Sequence, residues 1–175
     1  ERGLERRRKD GLSVEEMSPI CTIMIGRTDD WMKQYTKQEN MVVAPECLEW
    51  AGIAVMKEAY RIFKERGYTT RLLSAAYRNY YHWSELVGGN LAMTIPYGWH
   101  KKLNACDVPV DCRIDIPVKQ EYIDELMKIS EFKRSFYEDG MEPEEFVKYG
   151  GFRSTIKTFI EGYDGLLALI RSYMI

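Results

Sequence analysis

Three short apolar runs punctuate this chain at regular intervals. Ile20-Cys21-Thr22-Ile23-Met24-Ile25 ends at Gly26, Arg71-Leu72-Leu73-Ser74-Ala75-Ala76-Tyr77 runs into Arg78-Asn79, and Leu91-Ala92-Met93-Thr94-Ile95 closes at Pro96. The first is apolar on both alternations, which predicts a strand covered on both faces, as in a parallel sheet. The second reads as another buried strand, and the third as a strand closed by Pro96. Between them the period becomes helical. Glu1 to Asp10 carries charge throughout, with Arg7, Arg8 and Lys9 in its last turn and Gly11 just past it. Cations near the carbonyl end followed by glycine stop a helix. After Arg27-Thr28-Asp29-Asp30 a helical stretch runs through Lys37, and Thr28 or Asp29 can cap it by accepting from its free N–H groups. Another begins at Pro45 and carries Ile53, Met56, Tyr60 and Phe63 on one stripe until Gly67 ends it. A short helix at about Tyr81 to Val87 stops at Gly88-Gly89. From Val118 onward the pattern is wholly helical. The last helix places Ile156, Phe159, Ile160, Tyr163, Leu166, Leu167 and Ile170 on one face, which must therefore pack on something.

Strands alternating with helices predict an α/β fold of parallel βαβ units with right-handed crossovers. The 175 residues suit one domain, with the βα units over 18–117 and a helical segment over 118–175. Hydrophobic residues at 45% and charged residues at 30% give the profile of a soluble globular protein. A formal net charge of −2 offers no field to recruit nucleic acid or an anionic membrane. The basic run Glu5-Arg6-Arg7-Arg8-Lys9 is short and interspersed with acid, and reads as a solvated helix end. No stretch approaches the roughly 18 apolar residues of a membrane span. The charged N-terminus is not a signal peptide, and a start at Glu1 suggests a truncated or processed product. Cys21, Cys47, Cys106 and Cys112 are scattered, with His82 and His100 as the histidines, which argues against both a zinc site and a disulfide framework. Cys106 and Cys112 lie near enough in sequence to bridge, but reduced cysteines in a cytoplasmic protein are the better reading.

The chemistry sits where two strands end. Gly26-Arg27 and Tyr77-Arg78 each place an arginine at or just beyond the carboxyl end of an apolar run, where parallel α/β folds bind ligands. Two guanidinium groups converging there match phosphate oxygens, and the helix start after Arg27 adds free N–H groups. The plainer alternative pairs each arginine with a nearby carboxylate, such as Asp29 or Glu85. His82 and His100 read as structural or surface residues rather than bases. Tyr77, Tyr80, Tyr81 and Trp83 form an aromatic cluster of the kind that fills cores. Ser74 lacks a histidine at a suggestive spacing, so it is no nucleophile, and no glycine-rich phosphate loop is present.

Taken together these residues resemble a known family. Ile25-Gly26-Arg27-Thr28-Asp29-Asp30-Trp31 is similar to the glycine-arginine-…-aspartate-tryptophan motif that closes the sixth barrel strand of transaldolases, and Glu58 to Tyr68 is similar to the helix after it. Ser74-Ala75-Ala76-Tyr77-Arg78-Asn79 matches the seventh-strand motif, Leu91 to Pro96 fits the eighth strand, and Glu145 to Ile170 resembles the closing helices. The resemblance implies the C-terminal part, about strands 6 to 8, of a TIM (β/α)8 barrel. It implies a sugar-phosphate enzyme of the pentose phosphate pathway that moves a dihydroxyacetone unit through a lysine Schiff base, without metal or cofactor. It assigns the substrate phosphate to Arg27 and Arg78, with Asn79 beside them. Thr22 stands where the family often has serine, Met24 where an aromatic is common, and Ala76 where a serine often assists phosphate binding. The last two departures bear on which sugar is bound.

A complete barrel of this kind takes about 250 residues, and the strands read here are three. The family's Schiff-base lysine and acid/base carboxylates have no counterpart, and the lysines present, such as Lys33, Lys57 and Lys64, fall in helices or loops where water is expected to keep them charged, so no catalytic residue is assigned and the chain alone is expected to be inactive. It is then a fragment, half of a split enzyme, or a pseudoenzyme. The competing class is an interaction module that pairs through open sheet edges. Either way, self-association or a partner chain bearing the missing strands is expected.

Overall fold

The three apolar runs pair as one sheet. The computed structural model describes residues 1–174, and in it β1 (Ile20–Ile23), β2 (Arg71–Ser74) and β3 (Leu91–Met93) lie in that spatial order, both pairs parallel. Each strand is shorter than its apolar run. Beyond Ile23 the chain turns at once into a helix that begins at Ile25. Beyond Ser74 the left-handed backbone of Ala76 (φ 64°) ends the extended path, although the Ala75 N–H still reaches the Ile23 carbonyl at 3.1 Å.

Register sorts the side chains into two faces. Leu72 pairs with Cys21 and Leu91, while Leu73 pairs with Thr22 and Ala92, and successive residues point to opposite sides. The Leu72 side is covered. Leu72 and Leu91 join Ile25, Met56, Tyr77, Trp83, Leu86 and Ile114 in a buried cluster. The Thr22–Leu73–Ala92 side has little against it: Ile20 is 53% exposed and Thr22 is exposed. The expectation that the first strand is covered on both faces is therefore corrected. Its residues are apolar enough for two covers, but Ile20, Cys21 and Thr22 are all exposed and Ile23 is half-buried, so neither face of this strand is fully covered.

Helices build the covered side. α1 (Arg2–Lys9) buries Leu4, and Glu1 just before it accepts the Thr70 N–H at 2.8 Å. Its basic residues are exposed, as expected of a solvated helix end. α2 (Ile25–Gln38) is capped from Met24, so Thr28 and Asp29 lie inside the helix rather than capping it. Where one helix was expected from Pro45, there are two, α3 (Pro45–Leu48) and α4 (Ala51–Glu65). The break lets Gly52 seat on the main chain of α2, where a Cβ would lie 2.2 Å from the Ile25 carbonyl oxygen. Within α4, Ile53 and Met56 are fully buried and Tyr60 and Phe63 half-buried, as the stripe predicts. α5 (Tyr81–Ser84) is shorter than the expected helix. α6 (Tyr97–Asn104) buries no residue, which is why no apolar period announces it.

α7 (Gln120–Leu126), α8 (Ser130–Phe136), a 3₁₀ turn (Pro143–Lys148) and α9 (Gly150–Ser172) follow. Leu126, Ile129 and Phe132 pack with Met32, Cys47, Leu48, Ala51 and Ala54 in a second cluster. Trp31 ties α9 to this layer: its Nε1–H donates to Glu131 Oε2 at 2.9 Å, and a Cβ at Gly150 would lie 1.9 Å from its ring. Beyond that anchor the apolar face of α9 does not find the cover it was expected to have. Phe159, Ile160, Tyr163, Leu166 and Ile170 are all exposed.

Among the described residues, β1 and β3 each leave an edge unpaired, and exposed edges beside uncovered apolar faces drive association. The 175-residue chain is expected to self-associate, or to need a partner, when its mass is measured by light scattering. A single monomeric species with cooperative unfolding would contradict this.

Candidate functional site

Glycine 26 brings the ends of β1 and β2 together. A Cβ there would lie 1.7 Å from the Ala76 carbonyl oxygen and 2.8 Å from Arg78 Cγ, so only glycine lets α2 start against the loop after β2. Arg27 follows directly, so its main chain enters α2 next to this contact. Arg27 lies in the first turn of α2, half-buried, and its guanidinium makes no ion pair or hydrogen bond among the described residues. Arg78 is the opposite case. Its Nε donates to Asp30 Oδ1 and Oδ2 at 3.1 and 3.0 Å, its Nη2 donates to Oδ2 at 2.7 Å, and its Nη1 turns back to the Ala76 and Tyr77 carbonyls, both at 3.2 Å. The carboxylate partner of Arg78 is therefore Asp30 and neither Asp29 nor Glu85. Residues three apart on a helix share a face, about 5–6 Å between Cβ atoms, so Arg27, Asp30 and Arg78 form one cluster.

The main chain of Arg78 is held separately. Its N–H donates to His82 Nδ1 at 3.1 Å. A neutral imidazole accepting at Nδ1 carries its proton on Nε2, and Nε2 lies 2.7 Å from Asp29 Oδ2, to which it donates. Asp29 Oδ1 accepts the Gly52 N–H at 2.7 Å. Asp29 and His82 are wholly buried. Burial pushes the Asp29 carboxyl above the usual carboxylate range, against the opposing pull of His82 and the Gly52 N–H. His82 is structural, as its sequence context suggests. Asp29 and Asp30 are the functional residues missed as a pair, although two acids directly after the motif arginine were a readable signal.

The remaining candidates fall in two groups. Thr22 belongs to the open face of the sheet, and Met24 follows on the same parity at the strand end, 38% exposed. Ala76 holds the left-handed turn, its carbonyl engaged by Arg78. Asn79 points its amide Nδ2 at Glu49 Oε2, 2.8 Å away, while its buried Oδ1 has no partner. Glu49 also receives Lys33 Nζ at 2.5 Å. Burial raises the Glu49 pKa, but the hydrogen bonds from Lys33 and Asn79 outweigh that and hold it below the usual range.

Other groups are occupied elsewhere. Ser74 Oγ and the Tyr77 hydroxyl bond to each other at 2.8 Å in the core. Tyr80, Tyr81, Trp50 and Tyr122 form a run of ring contacts at 4.1, 4.8 and 5.6 Å that ties α4, α5 and α7 together. His100 is exposed on α6. Lys57 corrects the expectation that water keeps the helix lysines charged. It is buried, its pKa lowered by that burial, and its ammonium donates to Glu85 Oε2, the Arg113 carbonyl and the Ile116 carbonyl at 3.1, 2.9 and 2.7 Å. It lines a cleft of about 550 Å³ between α4 and the 114–118 segment, to which neither Arg27 nor Arg78 contributes. Among the described residues, no three His, Cys, Asp or Glu side chains gather in a way that could hold a metal ion. No helix there is long and apolar enough to cross a membrane.

The family model for transaldolase/fructose-6-phosphate aldolase matches residues 18–169. A transaldolase of Trichormus variabilis is 30% identical over 151 residues, covering 86% of this chain and 43% of that protein. A transaldolase of Nostoc sp. is 29% identical over the same span and shares. One from Prochlorococcus marinus is 28% identical over 144 residues, covering 81% of this chain and 42% of that protein. The chain thus spans less than half the length of these relatives.

The Asp29–His82 pair makes a sharp substitution test. In Asp29→Asn, one side-chain atom still accepts from Gly52, but the amide then sets a donor against His82 Nε2–H. Shifting the histidine proton to Nδ1 only moves the conflict to the Arg78 N–H. The variant is expected to lose about 1–3 kcal/mol of stability in urea unfolding, the cost of one buried unsatisfied donor, despite being isosteric. Unchanged stability would show that the network holds nothing.

Proposed function

Since this chain belongs to the transaldolase/fructose-6-phosphate aldolase family, we propose that it supplies the phosphate-gripping part of a transaldolase-type enzyme. The observation that carries the reading is that Arg27 and Arg78 each follow the carboxyl end of one of two paired parallel strands, with Gly26 packed against the Ala76 carbonyl and Arg78 Cγ. Arg27 offers an uncommitted guanidinium and Arg78 one whose main chain is fixed. Charge-assisted bonds from such a pair fit the non-bridging oxygens of a sugar phosphate. Thr22 and Met24 would face the sugar from the open side of the sheet, and the unpartnered Oδ1 of Asn79 is an acceptor for a donor nearby. Met24 and Ala76, in place of the family's aromatic and serine, give the site a less polar wall and one phosphate donor fewer.

In this reading β1 to β3 are strands 6 to 8 of a (β/α)8 barrel, and the open Thr22–Leu73–Ala92 face looks into its centre. Transfer of a dihydroxyacetone unit needs an amine that is neutral near pH 7 and can form a Schiff base with the ketose carbonyl, which takes a desolvated pocket. The three strands hold no lysine. The buried Lys57 has all three donors engaged on the helix side of the fold. The reactive lysine therefore belongs to a segment outside this chain, and the chain alone binds without turning over.

A second reading, an interaction module without catalysis, draws on the exposed apolar face of α9 and the open strand edges. The two readings differ in ligand response. Fructose 6-phosphate is expected to raise the melting temperature of the chain, and Arg27→Ala to weaken its binding on the order of tenfold or more, the loss of one charge-assisted contact. Unphosphorylated fructose should bind equally to both forms. No melting shift, or equal losses for both sugars, would favour the interaction module.

A further inference from the structure

Asp30 fills the edge of Arg78 that a phosphate would use. Its carboxylate meets Nε and Nη2 at 2.7 to 3.1 Å, the fork geometry in which arginine also takes two phosphate oxygens. The remaining nitrogen, Nη1, is turned back on the Ala76 and Tyr77 carbonyls. With Asp30 in place the pair has no net charge, and Arg27 is the uncompensated cation of the cluster among the described residues.

The pair is nonetheless easy to part. Its side chains are 34% and 41% exposed, and ion pairs in such surroundings contribute little net stability. Arg78 does not depend on Asp30 for its position, because His82 holds its main chain from the buried side. A phosphate monoester brings nearly two negative charges at neutral pH and three acceptor oxygens, whereas Asp30 brings one charge. Arg27, about a helical turn before Asp30 on the same face, adds its attraction to an incoming anion and would contact a group bound at Arg78.

We propose that Asp30 is a built-in competitor that sets the charge specificity of the site. Without ligand it closes the Arg78 fork. A dianionic phosphate displaces it with the help of Arg27, while a monoanion such as a sugar carboxylate does not. Specificity is here a difference between two affinities, obtained by a repulsive element as well as an attractive one. The inference rests on the sugar-phosphate reading above and adds to it the class of ligand excluded.

Titration calorimetry of the 175-residue chain with fructose 6-phosphate and with gluconate tests it. Asp30→Asn is expected to bind fructose 6-phosphate about three- to tenfold more tightly than the parent chain, and to gain gluconate binding that the parent lacks. Asp30→Ser should behave alike, and circular dichroism melts would show both variants folded. Weaker or unchanged phosphate binding in folded variants, with the parent binding normally, would overturn the competitor and leave the sugar-phosphate reading standing. If neither parent nor variant binds fructose 6-phosphate, both fall.

Discussion

A single buried carboxylate organises the ligand end of this molecule. Asp29 accepts the Gly52 N–H in the first turn of α4 and the Nε2–H of His82, and His82 in turn accepts the N–H of Arg78. Three separate segments, α4, α5 and the loop after β2, are thereby joined to α2 at one residue. A buried carboxylate is costly unless its oxygens are satisfied, so the network has one low-energy arrangement. That arrangement fixes the histidine tautomer and with it the main chain of an arginine. The neighbouring residue, Asp30, reaches outward and engages the same arginine by its side chain. Two adjacent acids thus act on one arginine from its buried and exposed sides.

Close packing extends this constraint along α2. Gly26 admits the Ala76 carbonyl, Gly52 admits that of Ile25, and Trp31 seats against Gly150. The motif from Gly26 to Trp31 therefore contains, within six positions, the contact to β2, the free cation, the buried anchor, the exposed anchor and the tie to α9. The sheet it terminates is covered on one side, and its other face and both edges are exposed in the chain as described. In the proposed reading, relatives about twice as long account for that exposure, with further strands completing the sheet.

Strand existence was legible from the sequence, because runs such as Leu91 to Ile95 had the right length and apolar content. Strand ends were not, since Ile25 is as apolar inside a helix as in a strand, and Ala76 gives no sign of its positive φ. The α4 stripe was legible from its period, whereas α6 buries nothing and so has none. Arg27 and Arg78 were legible as two arginines at equivalent places after two strands. Their different states were not, because the choice of Asp30 over Asp29 depends on which side of α2 each carboxylate faces. Lys57 was misread for a related reason. Its sequence shows a helix position, but its environment is set by Glu85 and two carbonyls brought in from the 113–116 segment.

The central claim, that α2 and the loop after β2 build one anion site from Arg27 and Arg78, is open to direct observation. Nitrogen NMR of the arginine side chains, assigned by single substitution, would follow both Nε–H groups as fructose 6-phosphate is added. The account predicts that both signals move with the same saturation curve, while fructose moves neither. Movement of one signal alone, or equal response to the two sugars, would contradict it.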